Sequence, residues 1–296
     1  MSFDRDEFLR RAIQIPSHDD VEEMRAYVSE TLSEEGFSPD EDAAGSVIAT
    51  RGTAGTEDTH LVLNTHLDTV PPNVPFEDDA DILRGRGACD AKGPLAALID
   101  AFCRATLEDG LLTLAVTTDE ETAQFGGAEL GETLSADGYI VGEPTNLDVC
   151  LAARGNFGGH VTITGESAHA SDPSVATNPI LVIGRVVEAL EVYDDERETA
   201  QHERLGGPSI APTQVEAGGP LNQTPANCRV SFDRRPVPPE TSEAFLADLG
   251  PHLEGWLPDE CDVEVSAAYP ESPDPEAFAT EESAELVQTL LEVSGG

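Results

Sequence analysis

Three short apolar runs, each closed by polar turn residues, constrain this chain more than any other feature. Leu61-Val62-Leu63 runs into Asn64-Thr65-His66-Leu67-Asp68. Leu111-Leu112-Thr113-Leu114-Ala115-Val116 runs into Asp119-Glu120-Glu121, and Tyr139-Ile140-Val141 into Gly142-Glu143-Pro144-Thr145. Runs of this length bounded by turn residues read as buried strands. In an open α/β sheet, a site lies beyond the carboxyl ends of the strands. Three such strands would deliver His66, Glu120, Glu121 and Glu143 to one edge. The segment Gly85-Arg86-Gly87-Ala88-Cys89-Asp90-Ala91-Lys92-Gly93 would add Asp90 just ahead of a helix.

The pattern around these runs sets the organisation. Phe8, Ala12 and Ile15 have helical spacing, as do Val21, Met24, Val28 and Leu32, with Gly36 as a stop signal. A strand is expected at Val47-Ile48-Ala49, and Pro94 is expected to open a helix from Leu95 to Leu107. Alternating helices and strands over the first 150 or so residues imply a mostly parallel, helix-covered sheet. The rhythm then changes. Strands near 160–164, 210–215, 228–232 and 261–266 alternate with helices near 178–190 and 241–253, the β-α-β-β-α-β order of a ferredoxin-like domain. The expected boundaries are 1–153 for the first domain and 154–268 for the second. Beyond the proline-rich stretch 270–275, a last helix from Ser283 to Val293 is expected, with 269–296 returning to the first domain.

Charge excludes whole classes of partner. With 58 acidic and 16 basic residues, the net charge is −42. The acids are spread along the chain as a solvated surface, which repels nucleic acid and anionic membrane. A salt-rich cytosol would screen the self-repulsion, so a halophilic, cytoplasmic protein is expected. The five cysteines are odd in number and show no C-x-x-C pair, which fits reduced thiols. The N-terminus has no signal-peptide pattern, and no 18-residue apolar run is present. Fifteen of the 16 basic residues are Arg; the single Lys is Lys92, inside the Asp90 motif.

His66, Asp90, Glu121 and Glu143 offer one imidazole and three carboxylates, a donor set for a hard or borderline divalent cation. Glu120 and Glu121, read as consecutive residues of an extended segment, would point apart, so one could ligate while the other serves as a base. Asp68, two residues beyond His66, could bond the far imidazole nitrogen and fix its tautomer. Taken alone, each motif has a plain reading: a solvated turn, a loop glutamate, a core histidine. Four of them at successive strand ends carry the metal reading. Competing signals fail, since Gly85-x-Gly87 lacks the third glycine of a dinucleotide loop and Ser167 is not in a nucleophile elbow.

Together these four motifs resemble the M20 metallopeptidases, the family of acetylornithine deacetylases, succinyl-diaminopimelate desuccinylases, aminoacylases and glutamate carboxypeptidases. The resemblance runs from near the N-terminus to about residue 270. It implies a zinc-exopeptidase-like catalytic domain with an inserted ferredoxin-like dimerisation (lid) domain. It also implies two zinc ions, with cobalt or manganese as alternatives, and hydrolysis of an N-acyl amino acid or small peptide bearing a free carboxylate. Asp90 matches the bridging ligand, His66 and Glu143 the other ligands of one metal, and Glu121 a ligand of the second. Glu120 matches the general base and Asp68 the residue that orients His66. His169 matches the lid histidine that stabilises the oxyanion, often from the partner subunit of a homodimer. Asn222 and Arg235 match positions that bind the substrate carboxylate. The family's fifth ligand is a histidine in a returning C-terminal segment that this chain stops short of at Gly295-Gly296. His202 and His252 lack its context. The expectation is therefore a weak second metal site and close to one tightly bound cation per chain. The alternative is a non-catalytic or fragmentary dimeric homologue.

Overall fold

The computed structural model describes residues 3–53, 59–79, 82–172, 178–197, 199–258 and 261–294. Contacts divide the chain into two compact units, Met1–Val149 with Val293–Gly296, and Cys150–Glu292.

The first unit begins with helices α1 (Arg5–Gln14) and α2 (Glu22–Glu34), then strands β1 (Asp40–Glu41), β2 (Val47–Thr53) and β3 (His60–His66). A small hairpin of β4 (Glu77–Asp79) and β5 (Ile82–Arg84) follows, then α3 (Lys92–Arg104), β6 (Gly110–Thr117), α4 (Phe125–Thr133) and β7 (Gly138–Val141). Asp4 caps α1 by accepting the backbone N–H of Asp6 and Glu7. Gly36, at φ +90°, ends α2: its N–H reaches Ser33 O and that of Phe37 reaches Leu32 O, a Schellman closure.

The sheet order is β1-β2-β6-β3-β7. β3 runs parallel to both β6 and β7, whereas β2 is antiparallel to β6 and β1 to β2. The parallel character thus belongs to the three strands that end in the sequence motifs. The link 54–59 is too short for a crossover, so β2 and β3 must run in opposite directions. Period-2 alternation assigns the faces. Leu112, Leu114 and Val116 of β6 pack with residues of α1, α2 and α3, while Ala115 and Val62 meet Leu130 of α4 on the other face. Each fully buried Leu or Phe in the larger cluster stabilises the fold by about 1.5–3 kcal/mol.

The helix expected to open at Pro94 opens earlier, at Lys92, and ends at Arg104 rather than Leu107. Pro94 is its third residue, where the missing N–H would have had no intrahelical partner in any case. Two bonds set the earlier start: Lys92 N–H to Gly87 O and Leu95 N–H to Ala91 O.

The second unit contains β8 (Ala152–Ala153), β9 (Phe157–Thr164), α5 (Ile180–Val192), β10 (Ser209–Ala217), β11 (Asn227–Arg235), α6 (Ser242–Glu254), β12 (Asp262–Ala267), β13 (Phe278–Ala279) and all but the last two residues of α7 (Glu285–Ser294). Its antiparallel sheet has the order β10-β11-β9-β12, and with α5 and α6 this is the expected β-α-β-β-α-β arrangement. Val182, Val186 and Leu190 of α5 and Phe245, Leu249 and Leu253 of α6 share a core with Phe157, Val161 and Ile163 of β9 and Val230 and Phe232 of β11. Gly159 is where the Phe232 ring lies, since a Cβ there would come within 2.2 Å of Phe232 Cζ. Arg234 is fully buried, held by both oxygens of Asp194 and by Glu240 at 2.7 Å and stacked over Phe245.

Candidate metal centre

Strand register brings the motifs together. His66 is the last residue of β3 and pairs with Thr117, the last of β6, while Asn64 pairs with Val141, the last of β7. The strand ends are stitched beyond the ladder by Leu67 N–H to Thr117 O, Gly142 N–H to Asn64 O, and the Thr65 hydroxyl to Gly142 O. His66, Glu120, Glu121 and Glu143 therefore leave one edge of the sheet, and Asp90 joins them from the turn before α3.

The ligand atoms of His66, Asp90 and Glu121 lie within 4.8 Å of one another. His66 Nε2 is 3.1 Å from Asp90 Oδ1 and 3.7 Å from Glu143 Oε1. Its other nitrogen, Nδ1, donates to the backbone carbonyl of Asp68 at 3.0 Å, which leaves Nε2 facing the carboxylates. The Asp68 carboxylate itself stands 3.5 Å from Nδ1. Its main bonds go elsewhere, to the backbone N–H of Glu120 at 3.1 Å and of Glu121 at 2.9 Å. His66 Nδ1 thus faces both the main-chain oxygen and the carboxylate of Asp68, with the main-chain oxygen nearer.

Glu120 and Glu121 do not lie on an extended segment. They form a turn entered through Asp119 at φ +63°, a conformation aspartate tolerates. The separation of their roles therefore rests on this turn and not on strand alternation.

Electrostatics sets the character of the cluster. Burial works against a charged His66, but the carboxylates of Asp68, Glu143 and Glu120 outweigh it and raise the imidazole to about 9. Burial, with Asp90, Glu120 and Glu121 nearby, raises Glu143 to about 7 despite His66. Burial and neighbouring carboxylates also raise Glu120 and Glu121. Asp68 goes the other way: burial would raise it, but the adjacent His66 and the amides of Glu121 and Glu120 hold it below the usual range. Converging carboxylates that resist ionisation, around one buried imidazole, fit a divalent cation, which would neutralise them.

The segment 17–20 carries only a slight signal in the sequence. It lines a cleft with Asp68, Thr69, Asp119 and Glu121, anchored by Thr69 N–H to Ser17 O at 3.1 Å.

The remaining candidates lie in the second unit. His169 is exposed, with Nδ1 2.8 Å from Ser171 Oγ, and it is bridged to Gln223. Asn222 is exposed beside it, its carbonyl accepting Ala170 N–H at 2.8 Å. Arg235 ends β11, exposed and paired with Asp233 at 2.7 Å.

Comparison with known proteins adds to this geometry. Residues 151–258 match the family described as peptidase dimerisation domain. A protein of Pyrobaculum aerophilum, provisionally named LysW-lysine/LysW-ornithine hydrolase, is 34% identical over 264 residues, covering 87% of this chain and 73% of its own. Acetylornithine deacetylase of Pasteurella multocida is 32% identical over 69% of this chain and 58% of its own. Succinyl-diaminopimelate desuccinylase of Sphingopyxis alaskensis is 31% identical over 68% of this chain and 57% of its own. The chain thus spans little more than half the length of the last two. The fold is shared with a tripeptidase from Staphylococcus aureus (TM-score 0.73, 19% identity, 100% of this chain and 82% of that one). It is likewise shared with an M20 family metallo-carboxypeptidase from Sulfolobus solfataricus (TM-score 0.72, 17% identity, 99% and 84%).

Proposed function

This chain belongs to the M20 metallopeptidase family of metal-dependent hydrolases, and on that premise we propose that it cleaves an amide in an N-acyl amino acid or small peptide with a free carboxylate. The observation that carries the reading is the convergence of His66, Asp90 and Glu121 within 4.8 Å.

His66, Asp90, Glu121 and Glu143 would hold the cation, with zinc as the first choice for one imidazole among carboxylates, and cobalt or manganese next. A bound cation supplies Lewis acidity, polarising the scissile carbonyl and acidifying water. Glu120, with a raised proton affinity, is suited to accept the proton of the attacking water and return it to the leaving amine. Asp68 holds the turn that presents Glu120 and Glu121. By family match, His169 is assigned to the oxyanion and Asn222 and Arg235 to the substrate carboxylate, for which an arginine fork is suited. Residues 1–153 are the proposed catalytic domain and 154–268 the proposed dimerisation domain of a homodimer.

The acidic surface supports a halophilic, cytoplasmic setting without nucleic-acid or membrane partners. No helix among the described residues is long and apolar enough to cross a membrane. The test is metal analysis with an assay of acetyl, succinyl and dipeptidyl substrates in molar salt. Divalent cation with turnover supports the enzyme. A folded dimer without either would support the non-catalytic alternative.

A further inference from the structure

Lys92, the only lysine of the chain, is the first residue of α3 and just 2% exposed. Its ammonium makes a 2.5 Å hydrogen bond to the backbone oxygen of Ile15, the C-cap of α1. The partner is a carbonyl at the negative end of a helix, not a carboxylate. The methylene stem reaches it through a narrow gap. A Cβ on Gly87, which sits at φ +80°, would come within 2.9 Å of both Lys92 Cδ and Thr69 Cγ2. The Lys92 N–H also bonds Gly87 O at 2.9 Å. Lys92 therefore links two segments, the end of α1 through its ammonium and the loop carrying Asp90 through its backbone N–H, while Gly87 of that loop lies close to both its stem and Thr69. Thr69 N–H to Ser17 O closes the same circuit from the other side.

A purely space-filling role would be met by an apolar chain, as Leu95 and Ile99 do within the same helix. The 15 other basic residues are all arginine, whose planar fork would not thread a gap sized for methylenes. We infer that Lys92 is a positioning residue for the metal centre: its buried ammonium fixes the Asp90 loop to the end of α1, and so sets where the Asp90 carboxylate stands.

The inference rests on the metal-centre reading above, and the experiment separates the two. The full chain, in molar KCl, is titrated with Co2+ while its visible spectrum is recorded, for wild type, Lys92→Met and Lys92→Arg. Wild type should bind. Lys92→Met, similar in length but without a donor, should bind about tenfold or more weakly, with an altered spectrum well below its unfolding temperature, as loss of a group supporting a ligand does. Lys92→Arg, which keeps a donor but not the shape, should fall between the two. Identical affinity and spectrum in wild type and Lys92→Met would overturn the inference and leave the metal centre intact. No binding by wild type would instead sink the metal-centre reading. If Lys92→Met does not fold, Lys92→Arg decides, and a wild-type affinity and spectrum in that variant overturns the proposal.

Discussion

The carboxylate of Asp68 holds Glu121 by its backbone, accepting its N–H at 2.9 Å, while its other oxygen takes that of Glu120 at 3.1 Å. One side chain at the end of β3 thus dictates the path of the turn after β6. Asp68→Asn would keep the volume but replace an acceptor oxygen with an amide that has no lone pair to offer. It would also remove a negative charge beside His66. The expected result is a loss of about 1–3 kcal/mol for a buried N–H left unpaired, and a 10–100-fold drop in metal affinity or rate. Urea unfolding and cation titration of the purified variant would check both, and a wild-type profile in each would remove Asp68 from the site.

Glu120→Gln should separate proton transfer from metal binding. The side chain keeps its shape, so cation content should stay at the wild-type level, while turnover falls about 10²–10⁴-fold. If the cation leaves together with the activity, Glu120 is a ligand and its role is exchanged with that of Glu121.

The pH dependence follows from His66 at about 9 and Glu143 at about 7. A histidine raised above its unfolded value stabilises the fold below about pH 6.5, and that contribution fades as pH rises through about 9. A glutamate raised in the fold is increasingly costly once pH passes its unfolded value near 4.5, up to about 7. Both signs agree: the chelated protein should lose stability as pH climbs from about 5 to 9. A cation needs the neutral imidazole and the ionised carboxylate, so its binding should release protons and strengthen over the same range. Thermal unfolding with and without a chelator, and calorimetric titration in two buffers of different ionisation heat, would show this. Equal binding heats in the two buffers would refute the proton release.

The site was legible in the sequence as far as strand ends could carry it. Apolar runs of three to six residues have few alternatives to a buried strand. The residues that follow them must then emerge at one edge once the strands are parallel, as β3, β6 and β7 are. What sequence could not supply depends on partners far along the chain. The positive φ of Asp119 belongs to a turn that Asp68 holds from 52 residues away, so an extended segment was the natural reading of Asp119-Glu120-Glu121. The segment 17–20 carries little local signal because bonds from distant residues, Thr69 to Ser17 and Lys92 to Ile15, bring this stretch to the site. Pro94 marks a helix start correctly in kind, but the bond from Lys92 N–H to Gly87 O moves that start forward.

Arg234 and Arg235 are neighbours on β11, and strand alternation sends them to opposite faces. The family resemblance points to Arg235 for the substrate carboxylate, and burial separates it from Arg234. Arg234 is wholly enclosed and neutralises Asp194 and Glu240. Burial would discharge it, yet its bonds to Glu240 and Asp194 keep its proton affinity above the ordinary value. Arg234→Ala would strand two carboxylates and open a cavity against Tyr193 and Phe245. Breaking a buried pair in this way costs about 3–5 kcal/mol, so the second unit should melt early or fail to fold. Arg235 is 45% exposed at the side chain and paired with Asp233, itself 36% exposed. Arg235→Ala should change stability by no more than about 1 kcal/mol. If Arg235 binds the substrate carboxylate, that variant should raise KM about tenfold or more, as the loss of a charge-assisted hydrogen bond worth about 1.5–3 kcal/mol implies. Differential scanning calorimetry of both variants, with steady-state kinetics on Arg235→Ala in molar salt, reads these effects separately. A stable Arg234→Ala would show that its buried ion pairs are dispensable, and an unchanged KM in Arg235→Ala would return that residue to the surface.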